Sequence, residues 1–349
     1  MPTGISLPNS PFENGDNQGF IKIMIIETLT SPVILFFILG FFAACIRSDL
    51  TIPEPFAKAM SIYLMAAIGL KGGVEVASTG FTSELASAAI AGIILGFTLP
   101  ILAFFLLRSI GKLGAIDSGA VAAHYGSVSV VTFVTAVELL TNQGMPPGGF
   151  MVGVMALMET PAIITGLLLA RAYTKRPELE EDVKANKESG SGLMHEVLTN
   201  GSVILLLGAF AIGMVAGEAR FEPIKPLFAI GFNGVLCLFL LDMGLIAARR
   251  LLQTKKITIP LASLAILLPI INGTIGTLVG TVIGLDPGSA AVLGVLSASA
   301  SYIAVPAAMR LAMPQADPGI YLSMSLGITF PFNIIFGISL FAAIANFLG

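Results

Sequence analysis

Long apolar segments alternate with short polar connections along the whole chain. A helix needs about 20 mainly apolar residues to cross a hydrocarbon core of about 30 Å. Segments of about this length occur ten times, and a bilayer requires their backbone groups to be paired within helices. The pattern therefore predicts an all-α membrane protein with ten transmembrane helices. The predicted spans cover residues 32–47, 56–76, 86–108, 117–140, 148–172, 197–217, 225–249, 258–284, 287–311 and 318–348.

The composition favours a membrane carrier over a soluble enzyme. Hydrophobic residues make up 55% of the 349 residues and charged residues 11%, with a mean hydropathy of +0.92. Soluble domains average about 25% charged residues. The sequence contains no phosphate-binding loop and no paired-cysteine metal motif, so we expect no enzyme activity, no organic cofactor and no nucleic-acid partner. Cys45 and Cys237 lie in apolar segments, and we interpret both as buried small hydrophobic residues.

Two polar stretches define the organisation of the chain. Residues 1–30 form an N-terminal polar segment without the pattern of a cleavable signal peptide, and residues 19–30 predict an interfacial helix. Residues 174–196 are charged and then rich in Gly and Ser, which is typical of a cytoplasmic linker. A solvated tether and a docking site for a cytosolic regulator are both compatible with this composition. The linker separates two predicted domains of five spans each, residues 31–173 and 197–349.

The second domain repeats the first. Asp117-Ser-Gly corresponds to Asp286-Pro-Gly, and Glu159-Thr-Pro corresponds to Thr329-Phe-Pro. A half-chain repeat in a membrane protein is typical of secondary transporters, whose substrate site lies between the repeats near the bilayer midplane. The repeat therefore predicts transport before any individual residue is assigned a role.

The loop charges predict how the two halves are oriented. With ten spans, 14 of the 18 Lys and Arg residues fall on one side and four on the other. The positive-inside rule places the larger set in the cytoplasm, so both termini are predicted to be periplasmic in a bacterial inner membrane. Because each half has an odd number of spans, the two repeats are predicted to be inverted relative to each other.

Small hydroxyl residues cluster in the middle of the fourth and ninth spans. Residues 124–132 read His-Tyr-Gly-Ser-Val-Ser-Val-Val-Thr, and residues 297–306 contain three serines and end in Pro306. Proline and clustered Ser and Gly favour a break in a helix. A broken helix exposes an N-terminal partial positive charge that suits an anion and free carbonyls that suit a cation. The spans are therefore predicted to be discontinuous and to form one site, although such runs also mediate close helix packing.

Charged and polar residues inside other spans are further candidates. Lys71 and Asp242 occupy corresponding positions in the repeat and, at bilayer depth, would be functional candidates. They either approach each other near the pseudo-two-fold axis, face a shared cavity, or lie at span ends where they reach water. Glu159, Asn272 and Asn333 are candidate ligands for a coupling cation.

Two residues beside the serine clusters have more than one possible role. His124 either moves protons or forms a structural hydrogen bond. Tyr302 either supplies a hydroxyl to the cavity or packs in the core.

These blocks resemble the sodium-dependent bicarbonate transporter family. The resemblance covers all the predicted spans and is most specific at residues 297–310, with further blocks at residues 68–73 and 158–162. It implies ten helices in two inverted five-helix repeats, a core and a gate domain, a homotrimer in the lipid bilayer, and a bicarbonate site coupled to sodium between the two broken helices. In cyanobacterial members it also implies a PII-like cytosolic regulator. Carried over by position, the implied substrate-binding residues are Gly126, Ser127, Ser129, Thr132, Ser299 and Ser301, and Tyr302 lies beside them.

Two other functions remain open at this stage. His124 and Glu159 are titratable groups within spans, and they are compatible with a proton-coupled carrier of a small organic anion. The charged linker is compatible with a membrane-embedded sensor or scaffold. Sodium-dependent uptake of bicarbonate by alternating access is the function that the resemblance favours.

Overall fold

A computed structural model describes residues 26, 28–80, 82–174, 201–253, 256–302 and 304–349. Within these residues the chain is helical and contains no strand. Residues 28–30 are helical, but the rest of the predicted interfacial helix and nearly all of the predicted linker lie outside the described residues.

The helices follow the predicted spans closely. In the first half they are α1 (Pro32–Cys45), α2 (Glu54–Thr79), α3 (Ser83–Ser109), α4 (Ala115–Gly126), α5 (Val130–Asn142) and α6 (Met151–Tyr173). In the second half they are α7 (Gly201–Phe221), α8 (Phe232–Gln253), α9 (Ile259–Val282), α10 (Pro287–Ala298), α11 (Ala304–Ala312) and α12 (Pro318–Leu348), which contains two π-helical turns.

Eight helical segments of the described chain are long and apolar enough to cross a membrane. The fourth predicted span, α4 with α5, is one of them. The first and ninth predicted spans fall short, because α1 has 14 residues and α10 has 12. For α10 the cause is a break in the helix at Ser299. Ten spans and their inverted arrangement remain predictions.

Local sequence fixes where several helices begin. Thr82 caps α3 by accepting a hydrogen bond from the Leu85 N–H at 3.3 Å. Asp286 caps α10 by accepting from the Ser289 N–H at 2.9 Å, and Asp317 caps α12 by accepting from the Gly319 N–H at 2.8 Å. Both aspartates precede a proline, which suits the first helical position because its missing N–H has no helical partner there.

Helix packing divides the described chain into two groups. In the four-helix group, α1 packs on α8 and α2 packs on α7 and α8. In the broken-helix group, α3, α4 and α6 pack together, and so do α9, α10 and α12. The first helix of each half thus packs on the second helix of the other half, so the two halves exchange helix partners.

Glycines bring the helices of the four-helix group into backbone contact. A Cβ atom on Gly73 would overlap the Phe210 carbonyl of α7, and one on Gly213 would overlap the Leu70 carbonyl of α2. Gly40 and Gly244 meet the partner backbone in the same way where α1 crosses α8. Small residues commonly permit such close crossings between membrane helices. The glycines of the block at residues 68–73 therefore have a packing role.

The prediction for the two cysteines is half right. Cys237 is buried, whereas Cys45 is exposed. Cys45 is the last residue of α1, whereas the preceding Ala43 and Ala44 are buried against Leu245 and Ala248 of α8.

Candidate functional site

The fourth and ninth predicted spans are both interrupted at their serine clusters. Helix α4 ends at Gly126 and α5 begins at Val130, with Ser127 and Ser129 in extended conformations between them. Helix α10 ends at Ala298, and Ser299 is extended (φ −74°, ψ 159°). The predicted breaks are therefore present, and each leaves a half-helix N-terminus beside it.

The two breaks touch. The Ser129 N–H donates a hydrogen bond to Ser299 Oγ at 3.0 Å, and the Ser301 N–H donates to the His124 carbonyl at 3.0 Å. All four residues are buried. The structure therefore brings the two breaks, which come from opposite halves of the chain, into contact in the protein interior.

Serine hydroxyls also organise the helix N-termini. Ser129 Oγ accepts from the Thr132 N–H at 3.2 Å and from Thr132 Oγ1 at 3.0 Å. Ser301 Oγ accepts from the Val305 N–H at 3.4 Å at the start of α11. Ser299 Oγ donates to the Leu296 carbonyl at 2.8 Å. The ends of α5 and α11 that carry partial positive charge thus lie at the breaks, an arrangement that suits a small anion.

Ser127 and Gly126 play different parts in the first break. Ser127 Oγ is buried and has no hydrogen-bond partner among the described residues, so its hydroxyl is available to a ligand. A Cβ atom on Gly126 would overlap Pro100 and press on Ala162. Gly126 therefore permits the close approach of α4 to α3 and α6, and the position of its missing side chain faces these two helices.

Two asparagines cap the C-terminal ends of the broken helices. Asn272 Nδ2 donates to the Tyr125 carbonyl at 3.2 Å, and Asn333 Nδ2 donates to the Ala298 carbonyl at 2.9 Å. The Oδ1 atoms of both residues are buried without a partner in the described chain. A buried carbonyl oxygen without a partner is costly unless a ligand, ion or water satisfies it. These two oxygens lie beside helix ends that carry partial negative charge, which suits a cation.

His124 and Tyr125 link the first break to α12. His124 Nδ1 lies 2.6 Å from the Ala120 carbonyl, which requires the proton on Nδ1 and leaves Nε2 as an acceptor without a partner among the described residues. The His124 ring stacks on Tyr321 with centroids 4.6 Å apart. Thr329 Oγ1 donates to the Ala265 carbonyl and accepts from the Tyr125 hydroxyl, both at 2.6 Å.

Tyr302 lies between the breaks and the four-helix group. Its ring packs edge-on against Phe330 at 5.2 Å. Its hydroxyl lies 3.9 Å from Met243 Sδ and within hydrogen-bonding reach of Ser129. Tyr302 therefore packs in the core and also presents a hydroxyl near the breaks.

Lys71 and Asp242 do not form an ion pair. Lys71 Nζ lies over the Phe232 ring, 4.9 Å from its centroid. Phe232 begins α8, and Asp242 follows ten residues later, a rise of about 15 Å along a helix. The predicted ion pair is therefore absent from the structure, and whether the two charges face a shared cavity or reach water at span ends stays a prediction.

Glu159 is buried in α6, two residues before Pro161. No described residue donates a hydrogen bond to the Glu159 carboxylate. Among the described residues no three His, Cys, Asp or Glu side chains are grouped to hold a metal ion.

A narrow apolar crevice lies between the start of α5, which follows Ser129, and helices α2 and α8 of the four-helix group. The sequence offered no signal for it, because its walls are ordinary aliphatic and aromatic residues whose meeting depends on tertiary packing. It is lined by Ser61, Leu64 and Met65 of α2, Val130, Val131 and Val134 of α5, and Leu236 and Phe239 of α8.

Comparison with known proteins gives one clear result. No curated protein matches the chain with significance. The model of the Na+-dependent bicarbonate transporter superfamily matches residues 32–346, nearly the whole chain. The chain therefore belongs to the Na+-dependent bicarbonate transporter superfamily.

Proposed function

We propose that this protein is a secondary transporter that takes up bicarbonate together with sodium by alternating access. The observation that carries the proposal is the direct contact between the two breaks, Ser129 to Ser299 and Ser301 to His124, in a chain of this superfamily. Two half-helix N-termini and several hydroxyl groups converge there, and a transporter with internal repeats binds its substrate at such a place.

The chemistry of the breaks fits a small, singly charged oxyanion. Helix N-termini favour negative charge without bringing a full positive charge into the membrane interior. Ser127 Oγ has no partner among the described residues and would donate to a bound oxygen. The N–H groups at the start of α5 and the hydroxyl groups of Ser129, Ser301 and Tyr302 would complete the set of donors. The Thr132 and Ser299 hydroxyls, which donate to Ser129 Oγ and to the Leu296 carbonyl, would hold the two breaks in position around the anion.

Sodium would bind at the opposite ends of the broken half-helices. Asn272 Oδ1 and Asn333 Oδ1 are buried, lack partners in the described chain, and lie beside the last carbonyls of α4 and α10. Hard cations prefer such oxygen ligands. A cation at the C-terminal ends and an anion at the N-terminal ends of broken helices would each strengthen the binding of the other.

Movement of the broken-helix group against the four-helix group would expose the site to one face at a time. The inverted orientation of the halves, the homotrimer, the bacterial inner membrane with periplasmic termini, and a PII-like regulator at residues 174–196 belong to this proposal. The exchange of helix partners between the halves supports the repeat.

Uptake of labelled bicarbonate into proteoliposomes tests the function. We expect uptake that a sodium gradient drives and that empty liposomes lack. Uptake driven by a proton gradient and indifferent to sodium would instead identify a proton-coupled carrier, in which His124 and Glu159 would be the groups to examine. If neither bicarbonate nor small organic anions were taken up, a membrane-embedded sensor or scaffold would be the remaining function.

A further inference from the structure

A carboxylate of the four-helix group holds the loop that precedes α6. Glu75 Oε1 accepts a hydrogen bond from the Gly149 N–H at 2.8 Å. The two segments are also in backbone contact, because a Cβ atom on Gly72 would overlap the Gly149 carbonyl and the Val152 side chain. Glu75 belongs to α2 and Gly149 leads into α6, so this hydrogen bond crosses from one helix group to the other.

The same loop continues to the broken helix α10. The Gly148 N–H donates to Ser289 Oγ at 2.9 Å, and the Ser289 N–H donates to Asp286 Oδ1 at 2.9 Å. Gly288 packs against the backbone of Met145. Because α10 ends at Ala298, just before the break at Ser299, the contact made by Glu75 is connected through one short loop and one half-helix to the breaks.

A second contact crosses between the groups at the same face. Thr28 is buried just before α1, and its Oγ1 accepts from Gln143 Nε2 at 3.1 Å and from Ser339 Oγ at 2.8 Å. Spans alternate in direction, so the segment before the first span, the end of the second span and the connection between the fourth and fifth lie on one side of the membrane. Glu75, Thr28, Gln143 and Gly149 are therefore on the same side.

We propose that Glu75 and Thr28 form a latch that keeps the two helix groups closed at this face, and that the latch must release before the site opens there. The inference rests on the alternating access of the proposed function. A charged acceptor makes a stronger hydrogen bond than a neutral one, so Glu75 contributes most of the closure. The latch would set how often water and solutes reach the crevice beside Ser129 from this face.

Thiol labelling measures that opening without any substrate. In a full-length chain carrying Cys45→Ala and Cys237→Ala, Val131→Cys places a single thiol in the wall of the crevice. A membrane-impermeant reagent is applied from the face that labels an Asn142→Cys variant, because Asn142 is exposed at the end of α5. We expect Glu75→Ala to raise the labelling rate of Val131→Cys about tenfold, as loss of one hydrogen bond to a charged group would.

Two companion variants separate the latch from a general loss of structure. Glu75→Gln retains an acceptor oxygen without the charge and should label at a rate between those of the parent and Glu75→Ala. Glu84→Ala removes an exposed carboxylate from the first turn of α3 and should change nothing. If Glu75→Ala does not reach the membrane, Thr28→Val tests the same closure and should also raise labelling.

The latch would be overturned if the labelling rate did not change in Glu75→Ala or, where that variant does not reach the membrane, in Thr28→Val. An equal rise of the labelling rate in Glu84→Ala would also overturn it. Because labelling requires no bicarbonate, failure of uptake would refute the proposed function while leaving this result intact. Conversely, sodium-driven uptake with unchanged labelling would refute the latch alone.

Discussion

Ser129 and Ser299 are 170 residues apart in the chain, and the N–H of the first donates to the hydroxyl of the second at 3.0 Å. This hydrogen bond joins the two breaks at a point where neither half-helix supplies a backbone partner for the Ser129 N–H. Ser129 also caps α5, so one residue both starts a half-helix and fixes its position relative to the other break. A ligand bound at the breaks would therefore sense both halves of the protein.

Removing the hydroxyl of Ser299 should impair transport more than stability. Ser299→Ala loses the acceptor for the Ser129 N–H, and leaving that buried donor without a partner costs about 1–3 kcal/mol. We expect kcat/KM for bicarbonate to fall at least about tenfold while the protein remains folded in detergent. Uptake and thermal unfolding are measured on the same preparation.

Thr141→Ala is the matched control for Ser299→Ala. It removes an exposed hydroxyl that donates to the Val137 carbonyl within α5 and should leave uptake unchanged. Bulky replacements are less informative, because Ser129 is 4% exposed and Ser301 is 2% exposed, so overpacking would destabilise the fold itself. Equal uptake by Ser299→Ala and Thr141→Ala would refute the role of the breaks.

Asn333→Ala should weaken sodium binding more than bicarbonate binding. The substitution removes the buried Oδ1 that lacks a partner in the described chain and the cap on the Ala298 carbonyl. We expect the sodium concentration for half-maximal uptake to rise about tenfold or more, the order found when one supporting group of an ion site is lost. Sodium titrations at saturating bicarbonate measure this shift. A variant with an unaltered sodium requirement would exclude Asn333 as a ligand.

Gly73→Ala should destabilise the four-helix group. A methyl group there meets the Phe210 carbonyl of α7, and overpacking of this kind costs about 1–3 kcal/mol. Gly208→Ala lies on α7 with open space around it and should instead stabilise the helix by about 1 kcal/mol. Thermal unfolding of the two variants in one detergent should therefore move in opposite directions. A shift of the same sign in both would contradict the close packing of α2 and α7.

Lys256 and Asp317 should give an acid-sensitive contribution to stability. The Lys256 ammonium donates to the Asp317 carboxylate, which holds the pKa of Asp317 below its ordinary value and raises the pKa of Lys256. A lowered carboxyl pKa adds stability that is complete above the unfolded pKa of about 3.9 and is lost as the pH falls through the folded value.

The Lys256→Gln variant tests this contribution. The difference in Tm between the parent and the variant should be constant from about pH 5 to pH 9 and should shrink below about pH 4. A difference that does not depend on pH over the acid range would mean that the ion pair contributes nothing. The test is independent of transport, since these residues lie at the ends of α9 and α12, away from the breaks.

The sequence repeat and the serine clusters predicted the breaks because helix interruption is encoded locally. Three closely spaced serines before Pro306, and two after Gly126, weaken the helix wherever the chain packs. The residues that the breaks bring together, Ser129, Ser299 and Ser301, could therefore be named in advance. Asn272 and Asn333 could be named in advance as polar residues within spans, and their role as cation ligands stays a prediction.

Other features depend on packing that no local pattern reports. The separation of Lys71 from Asp242 follows from how deeply α2 and α8 sit relative to each other. Their packing puts Lys71 over Phe232 at the first turn of α8, about 15 Å along that helix from Asp242. The crevice beside Ser129 is lined by residues such as Leu64 and Val131, which look like any buried apolar residue in a sequence.

Binding of bicarbonate with and without sodium tests the central claim most directly. If one assembly of the two breaks holds both solutes, sodium must raise the affinity for bicarbonate, and bicarbonate must raise the affinity for sodium by the same factor. Calorimetric titration of the purified protein with bicarbonate, in sodium and in choline, measures the first change in affinity. Titration with sodium, with and without bicarbonate, measures the second. We predict equal enhancement factors in the parent and their loss in the Ser129→Ala, Ser299→Ala double variant. Bicarbonate binding of equal strength in sodium and choline would contradict the account.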